Sequence, residues 1–280
     1  MERRITIAKN SGFCSGVRRA VELALESARK YGEVQMLGDI VHNESVIEDL
    51  KNAGVKVVDN LDAADPAKPI LFRSHGTKKD VWELARRRGL TIIDATCPLV
   101  LNIHKAAQRL EADGRMVIII GDKDHDEVTA IVSELTNAVV ISDVRDVESL
   151  HRIRKAGVVV QSTQDIANVG QIISKIVGKV EDLRFINTIC NPTRDRQRQV
   201  IELASSNDVM LIVGSRTSAN TKRLAEIASA INPQTFLVQN ADELNPGWFE
   251  TALTIGISTG ASTPAESIKE IEKKIARFSS

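Results

Sequence analysis

Three cysteines stand at the head of three segments that share one register, and this repeat constrains the fold more than any other feature of the chain. After Cys14, apolar residues recur at helical spacing at Val17, Ala20, Val21, Ala24, Leu25 and Ala28. After Cys97 the stripe is Val100, Ile103, Ala107 and Leu110; after Cys190 it is Val200, Ile201 and Ala204, with Gln197 before them. Such stripes predict amphipathic helices. A short apolar run follows each helix, at Val34–Leu37, Met116–Ile120 and Val209–Val213. Continuous runs of this length suit strands buried on both faces. Gly38, Gly121 and Gly214 each stand 24 positions after their cysteine, and His42, His125 and Ser218 each stand 28 after it. A repeat that keeps polar residues in register repeats a site as well as a scaffold.

The rest of each segment repeats more loosely. Runs at Val55–Val58, 139–142 and Thr235–Val238 read as second strands. Runs at 70–73, 158–160 and 253–257 read as third strands that enter polar turns, which carry His75, Ser162 with Thr163, and Ser258 to Ser262. Runs at 91–93 and 183–186 then lead into Cys97 and Cys190, whereas the third segment ends in a helix around 268–275. Its missing strand is supplied by Arg4–Ile7, just before Cys14. Strands alternating with helices imply mainly parallel sheets joined by right-handed crossovers. The expectation is an α/β chain of three pseudo-symmetric units: 15–96, 97–189, and 190–280 completed by the N-terminal residues 1–14.

Lys and Arg total 37, as do Asp and Glu, so the formal net charge is zero. That balance gives no reason to expect nucleic acid or a membrane surface as partner. The opening Met1-Glu2-Arg3-Arg4-Ile5 lacks the apolar run of a signal peptide, and no stretch reaches the length of a membrane span. A cytoplasmic location is expected. The cysteines are odd in number, widely spaced and without a CxxC pair, which disfavours a disulfide framework or a zinc ribbon. By type they would pass for small buried core residues. Their shared register points instead to a common centre, because functional groups of parallel sheets gather beyond the carboxyl ends of the strands. Three converging thiolates suit an iron–sulfur cluster. A 4Fe–4S cluster usually takes four cysteines, so three would leave one iron open to substrate.

His42, His75 and His125 all follow predicted strands, whereas His104 lies within a helix and His151 among charges, so those two read as structural. Ser218, Asn220, Thr221 and Ser262 fall at predicted helix starts, where capping is their ordinary use. A helix start is also a natural anion site. Neutral donors and imidazoles there suit a diphosphate, in a chain with no GxxxxGK[ST] loop. Glu127 lies two residues beyond His125. A glutamate at a helix start commonly serves the helix dipole; beside an open iron it becomes a candidate proton donor for removal of a hydroxyl as water. Such a site fits a reductive dehydroxylase, a redox-neutral dehydratase that uses iron as a Lewis acid, or a non-catalytic diphosphate-binding iron–sulfur protein.

Several stretches resemble the LytB/IspH family of 4-hydroxy-3-methylbut-2-enyl diphosphate reductases. They are Gly12-Phe13-Cys14-Ser15-Gly16-Val17, Ile40-Val41-His42-Asn43, Ser74-His75-Gly76, Asp94-Ala95-Thr96-Cys97-Pro98-Leu99-Val100 and His125-Asp126-Glu127-Val128. Gln161-Ser162-Thr163, Thr188-Ile189-Cys190 with Arg196-Gln197, Val213-Gly214-Ser215 with Ser218-Ala219-Asn220, and Gly260-Ala261-Ser262 complete the set. The resemblance implies a trefoil of three α/β units around a central 4Fe–4S cluster held by Cys14, Cys97 and Cys190. It implies reduction of an allylic diphosphate to isopentenyl and dimethylallyl diphosphates, the last step of the non-mevalonate (MEP) isoprenoid pathway, with electrons from a donor such as ferredoxin or flavodoxin. It assigns the diphosphate to His42, His75, Ser218, Asn220 and Ser262, with His125 near its bridging region. Thr163 and Glu127 would handle the hydroxyl and its proton, and Thr193 is a further polar position. The chain departs from the family pattern at Asp126, where proline is usual, at Ser162, where threonine is usual, and at Ala219, where a second serine is usual. Asp126 would bring a negative charge near an anionic substrate, and Ala219 would remove one possible phosphate donor.

Overall fold

The computed structural model describes residues 3–278, so positions 1–2 and 279–280, the outer ends of the third expected unit, lie outside the described residues. Strand β1 (Arg4–Ile7) and helix α1 (Ser15–Tyr31) precede β2 (Val34–Leu37), α2 (Glu44–Asn52), β3 (Val55–Val58), β4 (Ile70–Phe72), α3 (Lys79–Arg87) and β5 (Ile92–Asp94). The chain continues through α4 (Pro98–Ala112), β6 (Met116–Ile120), α5 (Asp126–Val132), β7 (Ala138–Ile141), β8 (Ile153–Val160), α6 (Ile166–Ile176) and β9 (Val180–Phe185). It ends with α7 (Asn191–Ser206), β10 (Val209–Val213), α8 (Ala219–Ile231), β11 (Thr235–Val238), β12 (Thr254–Thr259) and α9 (Ala265–Arg277).

The strands form three four-stranded sheets of one design, in the orders β3-β2-β4-β5, β7-β6-β8-β9 and β11-β10-β12-β1. Every pairing is parallel. In the third sheet the edge strand is β1, with Arg4 opposite Thr254 and Ile7 opposite Ile257. The N-terminal strand thus occupies the place that β5 and β9 hold in the other sheets, as the sequence pattern predicts. By contact density the chain divides into two compact units, one of 1–17, 42–46 and 191–280, the other of 18–41 and 47–190. The first unit contains the third sheet; the second contains the other two.

The central strands are buried throughout because they carry apolar side chains on both faces. All four residues of β2 and all five of β10 are buried. In the second sheet, Ile118, Ile120, Val158 and Val160 pack with Val169, Ile172 and Ile176 of α6. On its other face, Val117, Ile119 and Val159 pack with Ile103, Ala107 and Leu110 of α4 and Val128 and Ile131 of α5. Each such side chain contributes about 1.5–3 kcal/mol on burial. Two strands extend beyond the apolar runs that announce them. β8 begins at Ile153 with Arg154 and Lys155 exposed, and β9 exposes Glu181, Asp182, Arg184 and Phe185. Among the described residues, no helix is long and apolar enough to cross a membrane.

The glycines that follow β2 and β6 have a local cause. Gly38 has φ +61°, and a Cβ there would collide with the Arg73 guanidinium. Gly121 has no such φ, but a Cβ would come within 2.7 Å of Val128 and 2.9 Å of Gln161. A side chain of the third strand's exit turn crosses the glycine in both sheets.

Candidate active site

The three cysteines occupy the same position in the three sheets. Each follows an edge strand and immediately precedes a helix, at α1, α4 and α7. Each backbone N–H donates to a carbonyl in the turn leaving the neighbouring strand: Cys14 to Ala261 at 3.0 Å, Cys97 to Ser74 at 2.9 Å and Cys190 to Ser162 at 3.1 Å. All three are half-buried and outside any disulfide. The sequence around Cys97 explains its placement. Asp94 accepts from the Thr96 amide at 2.9 Å and the Thr96 hydroxyl at 2.5 Å, which turns the chain, and Pro98 is pre-set for the first helical position. Helix starts favour negative charge, so these positions suit thiolates. Three half-buried cysteines outside any disulfide, each on the same kind of backbone tie, are donors that suit iron–sulfur ligation better than unrelated core packing.

In the larger unit, the exits of β4, β6 and β8 gather His75, His125, Glu127 and Thr163. The His75 and His125 rings meet edge to face with centroids 5.6 Å apart. His125 caps α5, its Nδ1 accepting the Glu127 amide at 3.2 Å. With Nδ1 accepting, the ring's N–H donor is Nε2. Glu127 is 1% exposed. Its two oxygens accept from the Ser162 amide and the Ser162 hydroxyl, both at 2.6 Å. Since the Ser162 carbonyl takes the Cys190 amide, this one residue joins the buried acid to a cysteine. Next to it, the Thr163 hydroxyl accepts from Gln161 Nε2 at 3.0 Å, and Gln161 Oε1 holds the Asp122 amide at 2.8 Å. A threonine hydroxyl that already accepts keeps its own proton to donate.

In the other unit, Ser218 caps α8 by accepting the Thr221 amide at 3.3 Å, which is the ordinary use of a serine there. Ser262 donates its hydroxyl to the His42 carbonyl at 2.9 Å. Asn220 is 4% exposed, and its Nδ2 finds no hydrogen-bond partner among the described residues. An orphaned buried amide costs stability unless a ligand satisfies it. The Arg196 guanidinium, also buried, donates to the Gly12 carbonyl at 2.6 Å, and Thr259 accepts the Gly12 amide at 2.9 Å. These two contacts fix the turn that presents Cys14. Thr193 is buried in α7.

The structure adds contacts that spacing does not reveal. Asp126 is ion-paired with Arg73, so its charge is compensated where the sequence suggests a bare carboxylate. Ser162 is the partner of Glu127. Ala219 opens α8 with no side-chain donor. His104 is buried in α4 with Nδ1 2.9 Å from Glu134, in keeping with a structural role, and His151 is exposed.

Comparison with known proteins is consistent across the chain. The model of the "LytB protein" family matches residues 5–276. The 4-hydroxy-3-methylbut-2-enyl diphosphate reductase of Geotalea daltonii is 40% identical over 273 residues, covering 97% of this chain and 96% of its own. Its namesake from Aquifex aeolicus is 38% identical over 276 residues, covering 97% and 95%. A solved structure of the reductase from Plasmodium falciparum superposes with a TM-score of 0.94 at 26% identity, covering all of this chain and 89% of its own. A second, described as the terminal enzyme of the non-mevalonate pathway, gives 0.71 at 37% identity, covering 98% and 99%.

Proposed function

The chain belongs to the LytB protein family, an iron–sulfur family, and on that premise we propose that it reduces (E)-4-hydroxy-3-methylbut-2-enyl diphosphate to isopentenyl and dimethylallyl diphosphates. The reaction breaks the allylic carbon–oxygen bond. It consumes two electrons and two protons, and it releases one water for each hydrocarbon diphosphate formed. The observation that carries this reading is the repeated tie of Cys14, Cys97 and Cys190 to the turns that bear Ser262, His75 and Thr163. One polar candidate residue follows each carbonyl that fixes a cysteine.

In this reading Cys14, Cys97 and Cys190 would hold one 4Fe–4S cluster, which would supply electrons one at a time and Lewis acidity toward the substrate hydroxyl. His42, His75, Ser218, Asn220 and Ser262 bind the diphosphate, with the unsatisfied Asn220 amide among the donors. His125 offers its Nε2 proton to the bridging region. Thr163, its hydroxyl steered by Gln161, donates to the substrate oxygen. Glu127 delivers the proton that turns the departing hydroxyl into water. Burial of Glu127 keeps bulk water from competing for that proton. The electron donor is a low-potential carrier such as ferredoxin or flavodoxin, and the location is the cytoplasm. The repeat units run 15–96, 97–189 and 190–280 with 1–14, a division supported by the common strand order.

The test is anaerobic incubation of reconstituted protein with a reduced viologen dye and the hydroxylated allylic diphosphate. Both hydrocarbon diphosphates should form. Recovery of unchanged substrate from cluster-loaded protein would refute the assignment.

A further inference from the structure

Arg73 holds a position in the first sheet that its counterparts in the other sheets use differently. It leaves β4 one residue before Ser74, as Gln161 leaves β8 before Ser162 and Gly260 leaves β12 before Ala261. Gln161 stays within its own sheet and binds the Asp122 amide. Gly260 has no side chain to reach with. Arg73 lies across Gly38, donates Nε to the Leu37 carbonyl at 3.3 Å, and pairs through Nη1 with Asp126 at the start of α5, the helix packed on the second sheet. The pair is partly shielded, with side chains 23% and 35% exposed. Two residues beyond Arg73 is His75; flanking Asp126 are His125 and Glu127. The ion pair therefore spans the two segments whose imidazoles meet at 5.6 Å.

We propose that Arg73 and Asp126 form a positioning clamp that sets His75 against His125 for the substrate diphosphate. The inference rests on the diphosphate reading given above. It gives Asp126 a purpose opposite to simple charge repulsion. The carboxylate is neutralised by Arg73, and its effect is to hold two donors at a fixed separation. Glu127 is anchored separately by both hydrogen bonds from Ser162, so loosening the clamp leaves the proton donor in place. The two accounts predict opposite signs. Removal of the Asp126 charge should weaken substrate binding if the pair is a clamp, and strengthen it if the carboxylate repels the substrate.

The test compares Asp126→Asn, Arg73→Gln and the double variant, each checked for iron content and melting temperature. Steady-state KM and kcat are measured with the allylic diphosphate, and calorimetry on the same holoprotein gives the Kd for inorganic diphosphate. The clamp predicts that each single variant raises KM and Kd roughly fivefold, the order expected for a partly screened ion pair. The kcat should stay within about twofold, because the chemistry-bearing acid is not moved. The double variant should be no worse than the worse single one, since both break one interaction. Unchanged or lowered KM in Asp126→Asn, or additive losses in the double variant, would overturn the clamp while leaving the functional reading intact. Wild-type holoprotein that neither binds diphosphate nor turns over would overturn the functional reading and the clamp with it.

Discussion

At the residue scale the account turns on Glu127. A buried carboxyl with two short donors from one serine is held in a single orientation, as a proton donor must be. Glu127→Gln keeps shape and hydrogen bonding but has no proton to give. It should retain iron and bind substrate while turnover falls by roughly 100-fold or more. Near-normal turnover at normal iron content would assign the proton to another group. Ser162→Ala removes one of the two donors and should lower kcat roughly fivefold, the weight of one ordinary hydrogen bond of about 1 kcal/mol. Ser162→Thr, which keeps the hydroxyl, should restore it; equal defects in the two variants would show that the hydroxyl is not what positions the acid. Glu127 could be picked out in the sequence because it follows His125 in the repeat. Ser162, 35 residues away, could not be named as its partner. That contact joins the exits of two neighbouring parallel strands, and strand order is a tertiary fact. Asp126 was open to misreading for the same reason, because its counter-charge lies in another sheet.

At the scale of elements, legibility followed burial. The central strands β2, β6 and β10 and the helices after the cysteines have strong apolar periodicity and were placed by sequence to within a few residues. In the edge strand β9 the buried Val180 is followed by the exposed Glu181 and Asp182, which separate it from the apolar run that begins at Leu183. β12 shows how polar contacts fix what apolar residues only suggest. One Asp208 oxygen accepts from the Leu253 amide at 2.9 Å, the Thr254 amide at 2.8 Å and the Thr254 hydroxyl at 3.0 Å. The Asp208 amide in turn donates to the Thr254 hydroxyl at 2.9 Å, which clasps the starts of β10 and β12. The Leu253 amide first, then the Thr254 amide and hydroxyl, hold the Asp208 carboxyl below its usual range. A lowered folded-state pKa means stability that is fully present above the unfolded value, near 4, and is lost as the pH falls through the folded one. Asp208→Asn should therefore lower the melting temperature at pH 7, and the difference should shrink progressively below about pH 4. A difference that is the same at pH 7 and pH 3 would mean that the charge contributes nothing to the clasp.

At the scale of the whole molecule, three sheets of one strand order carry three cysteines on one kind of tether. The repeat was readable because cysteine, glycine and polar residue keep their intervals along the chain, and the N-terminal strand was readable as the missing edge of the third sheet. If the cysteines serve one cluster, Cys14→Ser, Cys97→Ser and Cys190→Ser should each abolish the same visible absorption and activity. A variant that kept both would remove that cysteine from the site. The central claim is that cleavage of the carbon–oxygen bond is reductive. The measurement that tests it most directly is the count of electrons drawn from a reduced dye for each molecule of isopentenyl or dimethylallyl diphosphate formed under anaerobic conditions. The account predicts two electrons per product, and no product when the reductant is withheld. Loss of the hydroxyl with no dye oxidised would contradict it and mark the protein as a redox-neutral dehydratase.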